Sequence, residues 1–216
     1  MNASDNNDLD SILCDIVISE RHSTFDESDF GHRYIAPYEI RLETESGIVI
    51  GKMLGDLVNS GRIEADELYA VCDSDSAGLF AACQALFPYE SEELHVDINP
   101  NHDHVGRFLF IHQWAFHPCV SPLNRMVLLH LMGDHILRYD DVIVAWETLA
   151  DLEPSQLAEL GYAKIAGTGL IFSHLSRLNE FTSRYDADDE EYQIIVSPPA
   201  TAAQDFVNLW KEVSDR

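Results

Sequence analysis

The chain has 216 residues and a formal charge of −25, from 38 Asp and Glu against 13 basic residues. It is long enough to bury one core without disulfides or a structural metal, and the charge excludes a phosphate-neutralising nucleic-acid grip. Lysine occurs only at Lys52, Lys164 and Lys211, which equally excludes attraction to anionic membranes and favours a cationic amine or a basic protein partner.

Cys14, Cys72, Cys83 and Cys119 are widely spaced and form no CxxC pair, which points to a reducing compartment. No charged n-region with an apolar h-region opens the chain, and no long apolar run occurs, so a soluble cytoplasmic protein is expected. The acidity fits three readings: a high-salt-adapted surface, a mimic of nucleic acid for a basic protein, or plain solubility.

Residues 1–10, "MNASDNNDLD", are polar and acidic and are expected to be loosely ordered, with the core starting at "ILCDIVI". "YEIRLETES" alternates as a strand, Ser46-Gly47 marks a turn, and "IVIGKMLGDLV" reads as a second strand, giving a hairpin. "EADELYAVCDSDSAGLFAACQALF" carries helical apolar spacing interrupted at "DSDS", so two helical pieces are expected, the second capped by Asp75 or Ser76. "ELHVDI" is a short strand candidate and "NPNHDHVG" a loop. The alternating run at 107–117 is then a strand in the middle of a sheet.

"NRMVLLHLMGDHIL" has helical spacing, with Pro122 suited to its first turn and Ser121 to its N-cap. "DVIVAWETL" reads as a strand, "EPSQLAELGY" as a helix stopped at Gly161, and "IAGTGLIFSHLS" as extended, with Gly167-Thr168-Gly169 a turn or bulge. "DADDEE" is a solvated charge run, "YQIIVS" an edge-strand candidate, and "PPATAAQDFVNLWKEV" a terminal helix. Strand-helix-strand order makes the fold α/β, here an α+β arrangement on a mixed sheet. Three segments follow: 1–10, a domain at 11–178, and 179–216 holding an acidic linker, the edge strand and the last helix.

Several phrases in order resemble the GNAT superfamily of acyl-CoA N-acyltransferases. They are "LFIHQWAFHP", a strand ending in an apolar-x-Pro step before the cofactor loop; the amphipathic segment after it; "DVIVAWETL"; and "AELGYAKI", similar to the family's helix-ending "LGF" leading into a strand. The resemblance covers roughly residues 34–178 and implies a GNAT-like fold that transfers an acyl group from acetyl-CoA, or another acyl-coenzyme A, to an amine.

In that family the loop after the strand reads Arg/Gln-x-x-Gly-x-Gly/Ala, and its backbone N–H groups at a helix start hold the pyrophosphate of coenzyme A. The stretch here is "CVSPLNRM", which has no glycine and in which Pro122 lacks a donor. Ser121, Asn124 and Arg125 are the residues of this loop placed to meet the cofactor, with Arg125 able to pair directly with a phosphate, and Phe116 would offer backbone groups to the pantetheine arm. The family's tyrosine acid corresponds to Leu157, which has no proton to give; Ser155, Gln156 and Tyr162 lie nearby.

His112 is the preferred base, since imidazole titrates near working pH, with Glu147 on the following strand as the second candidate and His117 a weaker one. Each also has a plainer role: a strand histidine is commonly a hydrogen-bonded structural residue, Phe116 core packing, and Ser121 and Asn124 cap and turn residues. "HVDINPNHDH" gathers histidines and aspartates but matches no metal-ligand spacing, so no metal is expected. Two functions are therefore carried forward. One is acyl transfer to a cationic amine; the other is a GNAT-like fold without catalysis whose acidic surface docks a basic partner.

Overall fold

The computed structural model describes residues 12–20, 34–87, 106–122, 124–125, 128, 136–137, 141–147, 153–159, 161–174 and 195–214. The 1–10 segment, the "ELHVDI" strand, the "NPNHDH" histidines and the "DADDEE" run lie outside these residues.

Among the described residues, eight strands form one mixed sheet: β1 (Ile12–Glu20), β2 (Ile35–Thr44), β3 (Val49–Val58), β4 (Phe108–Phe116), β5 (Val142–Trp146), β6 (Ala163–Lys164), β7 (Leu170–His174) and β8 (Ile195–Val196). Their spatial order is β6-β7-β5-β4-β3-β2-β1-β8. Helices with described bounds are α1 (Ala65–Asp75), α2 (Ala77–Leu86), α3 (Pro154–Glu159) and α4 (Ala202–Ser214), and a 3-10 turn lies at Ser60–Arg62. The α+β reading therefore holds at the level of a mixed sheet with helices, and the 107–117 run is an interior strand as expected.

Strands β1 to β4 are successive antiparallel neighbours, whereas β4 and β5 pair in parallel. A parallel pair needs a crossover of a dozen or more residues. The chain between β4 and β5 supplies it, with Pro122, Asn124, Arg125, Leu128 and Ile136 in helical backbone.

Two apolar clusters lie on the two faces of the sheet. One joins Phe108, Phe110, Val142, Val144 and Phe172 to Leu68, Val71, Cys72, Leu79, Cys83 and Leu86 of α1 and α2. The other joins Leu109, Ile111, Trp114, Phe116, Ile143, Ala145 and Ile171 to Leu128, Leu137, Leu157, Tyr162 and Ala202. Alternation along β4 and β5 sorts these side chains, so each helical layer covers one face.

Local chemistry fixes the joints. Ser76 ends α1 and starts α2: its N–H donates to the Cys72 carbonyl at 3.2 Å, and its Oγ accepts the Leu79 N–H at 3.1 Å. At α3, Pro154 occupies the first helical position and Gln156 Oε1 reaches back to the Glu153 N–H at 2.9 Å, one half of a capping box. The helix stops in a Schellman motif: Gly161 has φ +80°, its N–H donates to Ala158 O, and the Tyr162 N–H donates to Leu157 O. Leu157 and Tyr162 are both buried, which is the apolar contact that accompanies this stop. The "LGY" phrase is thus a helix terminator in the physical sense. Among the described residues no helix is long and apolar enough to cross a membrane.

Candidate functional site

The parallel register of β4 and β5 runs from Phe108↔Val142 to Ile111↔Ala145, while β4 continues to Phe116. The pairing therefore takes up the first half of β4 and all of β5 but Trp146, and β4 then runs on beside β3. At the same level the β3–β4 register slips: Leu54 faces Gln113 and Gly55 faces Ile111, leaving His112 as the extra residue of a bulge. A Cβ on Gly55 would stand 2.9 Å from the Phe110 carbonyl oxygen, so glycine is what permits the close approach there. The bulge changes the phase of β4. Leu109 and Ile111 face the same core as Trp114 and Phe116, although the spacing between the two pairs is odd.

His112 projects from this bulge with its side chain 37% exposed, and its Nε2 lies 3.4 Å from Asp56 Oδ2 on β3. Asp56 is directly opposite Phe110 in the register, and its side chain is 12% exposed. The Phe110 ring lies 6.2 Å from the imidazole and meets Trp146 edge-on at 6.1 Å. A buried carboxylate in apolar surroundings requires a positive or donating partner. Nε2 turned toward Asp56 gives the imidazole that carboxylate as its partner. The arrangement is an imidazole oriented by a carboxylate, at the level where β4 and β5 stop pairing.

Glu147, the other base candidate, directly follows β5. Its carboxylate is ion-paired with Lys164 of β6, and its N–H donates to Gly169 O at 2.9 Å. It is thus tied to the β6–β7 edge, while His112 belongs to the β3–β4 side. His117 is buried at the end of β4. Its N–H donates to Ile50 O, its Nδ1 accepts the Cys119 N–H at 3.2 Å, and its Nε2 lies 3.9 Å from Asp205 of α4. These contacts join the β4 end to α4.

Phe116 is buried against Trp114, with ring centroids 5.1 Å apart at 81°. In the loop that follows, Ser121 is the N-cap expected: its Oγ accepts the Asn124 N–H at 3.2 Å and its carbonyl accepts the Arg125 N–H at 3.0 Å. The Cys119 N–H is bonded to His117 Nδ1 and the Val120 N–H to His117 O. Arg125 Nε donates to Val120 O at 3.0 Å, and its guanidinium lies 6.0 Å above the Phe116 ring. Four loop N–H groups are committed within the chain and Pro122 has none. Those four N–H groups and Pro122 therefore do not fit a pyrophosphate held by backbone donors in the manner of the resembled family.

Sequence reading passed over Asp56, which sits in the apolar run "KMLGDLV". A lone carboxylate at a strand position flanked by core residues was the available signal. Among the described residues no group of three or more His, Cys, Asp or Glu side chains is placed to hold a metal ion. No protein-family model, no curated protein and no solved structure matches this chain.

Proposed function

We propose that the chain is a divergent GNAT-like N-acyltransferase that transfers an acyl group to a cationic amine, with His112 as the general base. The observation that supports this reading is the Asp56–His112 pair, set on the β4 bulge at the point where the β4–β5 pairing ends. His112 takes a proton from the ammonium form of the acceptor as it becomes nucleophilic, and Asp56 steadies the imidazolium so formed. The surplus of carboxylates over bases draws a cationic acceptor toward the site. Acetyl-CoA is the donor that the family resemblance implies, and no step is assigned to its pyrophosphate, because the loop donors are engaged elsewhere.

The test is calorimetric titration with acetyl-CoA and coenzyme A together with thiol release in the presence of a polyamine. Turnover that falls by roughly 10²-fold or more in His112→Gln, with the fold intact, is the expected result. The absence of both heat and released thiol at millimolar ligand would remove acyl-CoA chemistry from consideration.

A second reading has its own observation. Residues 63–87 contain Glu64, Asp66, Glu67, Asp73 and Asp75 and no basic residue. Asp73 and Asp75 occupy the last turn of α1, where the helix dipole favours cations. Carboxylates kept in an unfavourable position are consistent with a non-catalytic GNAT-like fold that docks a basic protein. Neutralising Asp66, Glu67, Asp73 and Asp75 should then release a salt-sensitive partner, while neutralising Glu153 and Glu159 should not. Equal effects from both sets would leave only general acidity.

A further inference from the structure

We propose that Trp146 is the specificity-determining residue of the His112 site, its indole holding the acceptor as an aliphatic ammonium ion beside the imidazole. This role rests on the acyl-transfer reading, and it names what selects the acceptor there. Register places the two side chains together. The last β4–β5 pair is Ile111 with Ala145, so the next residue on each strand is His112 and Trp146. The Phe110 ring lies 6.2 Å from the imidazole and 6.1 Å from the indole, which it meets edge-on. Val142, Val144 and Trp146 alternate onto the face of the sheet that also carries Phe108 and Phe110.

Trp146 is half-buried at the rim of that core. A Cβ on Gly169 would rest 3.8 Å from Cε3 and Cζ3 of its six-membered ring, and one on Gly78 would stand 3.9 Å from Cζ2. With glycine at both places, neither position puts a side chain over the ring. A partly exposed indole presents a negative π face to a cation, and indole does so more strongly than a phenyl or phenol ring.

The three indoles of the chain are used differently. Trp114 is buried edge-on against Phe116, and Trp210 carries Lys52, whose Nζ lies 4.8 Å from the ring centre and 3.2 Å from Glu39 Oε2. An ammonium held between an indole and a carboxylate is thus built once into the chain itself. Among the described residues no cation stands over Trp146. Its neighbour His112 brings the Asp56 carboxylate, 3.4 Å from Nε2, and exposed Asp75 precedes Gly78 on the same helix joint. No Lys or Arg occurs between Arg62 and Arg107, and Lys164 of β6 is already paired with Glu147. The surroundings therefore favour a positive guest, and a neutral nucleophile of the same shape gains nothing from the π face.

The test labels the full chain with 5-fluorotryptophan and follows its fluorine resonances, assigned by Trp114→Phe, Trp146→Phe and Trp210→Phe, as n-butylammonium is added at low ionic strength. The resonance missing in Trp146→Phe should move and saturate, while n-butanol, neutral and of similar shape, should leave it in place. In Trp146→Leu, checked for its fold by thermal unfolding, the dissociation constant for n-butylammonium should rise by roughly 3- to 10-fold. Where thiol release is measured, the acceptor KM should rise by a similar factor with kcat within about twofold, the mark of lost binding rather than lost chemistry. A Trp146 resonance that stays still across millimolar n-butylammonium, or that n-butanol moves equally, would overturn the proposal. Thiol release with an unchanged acceptor KM in Trp146→Leu would also overturn it and leave acyl transfer standing. Movement of the Trp146 resonance with no thiol released for any amine would keep the cation site and overturn acyl transfer alone.

Discussion

Arg107 Nη2 donates to Asp141 Oδ2 at 2.5 Å, across the point where β4 and β5 begin their parallel run. Asp141 is buried, Arg107 also reaches the Ile136 carbonyl at 3.4 Å, and the Val142 N–H donates to Arg107 O. Both strand starts are thereby held together, which fixes where their pairing ends. Removing one member leaves the other charge buried without its partner. Arg107→Met should lower stability by about 2–3 kcal/mol, toward the low end for a buried pair because the guanidinium is partly exposed, read as a urea midpoint. A change below about 0.5 kcal/mol would mean that the pair is solvated in practice.

The bulge at His112 depends on Gly55. Alanine there meets the Phe110 carbonyl oxygen at 2.9 Å, a backbone atom that cannot swing aside. Gly55→Ala should cost about 1–3 kcal/mol, and it should displace His112 relative to Asp56. If acyl transfer is established, this variant should lose turnover beyond what His117→Gln loses, since His117 lies at the far end of β4. Unaltered stability and an unshifted His112 imidazole resonance would show that the bulge does not need glycine.

Punctuation was readable in the sequence because it rests on local chemistry. Ser46-Gly47, Ser76, Ser121 and Gly161 each do what their residue type permits, with Gly47 and Gly161 at positive φ and the two serines capping. The bulge was not read, because "FLFIHQWAF" passes for one alternating run unless the phase change between Ile111 and Trp114 is noticed. Pairings between distant segments were also out of reach. Asp56 meets His112 and Lys164 meets Glu147 only after the sheet has formed. For the same reason the loop at 119–125 could be seen to lack glycine, but the internal bonding of its N–H groups could not be foreseen.

Tyr162 carries a hydroxyl that is buried without a hydrogen-bond partner. Its ring supports the Schellman stop by packing with Leu157, so phenylalanine keeps the useful part. Tyr162→Phe should be neutral or stabilising by about 1 kcal/mol in thermal unfolding. The phenol is raised above its ordinary value of 10.0 by burial. Cys83 is also raised from 9.0, chiefly by its hydrogen bond with Cys72 and by burial, and Cys119 by burial. Groups with raised folded values keep their protons in the folded state while the unfolded chain gives them up. Their contribution is complete below about pH 9 and declines as the pH rises above it. The urea midpoint should therefore fall from pH 8.5 to 11, less steeply in Tyr162→Phe. A flat profile would contradict the burial of these groups.

The carboxylates at the end of α1 set the last expectation. Asp73 and Asp75 are exposed, lie in the last turn of α1 and have no basic residue in that turn, while Asp75 also precedes the Ser76 cap of α2, whose positive end offsets part of its cost. Replacing both by asparagine removes an unfavourable charge–dipole interaction and some of the chain's self-repulsion. Asp73→Asn should raise stability by about 0.3–1 kcal/mol at low ionic strength and Asp75→Asn by less, with the gain shrinking in molar KCl as screening takes over. Thermal unfolding of Asp73→Asn/Asp75→Asn at low and high salt separates this from a high-salt adaptation. In a salt-adapted chain, the wild type would unfold at low salt and the two neutral residues would recover only a small part of the loss. If the double variant is more stable and still binds the same partners, the acidic turn is a relic of composition. If it is more stable and loses a salt-sensitive partner, these carboxylates are retained for docking at the expense of the helix.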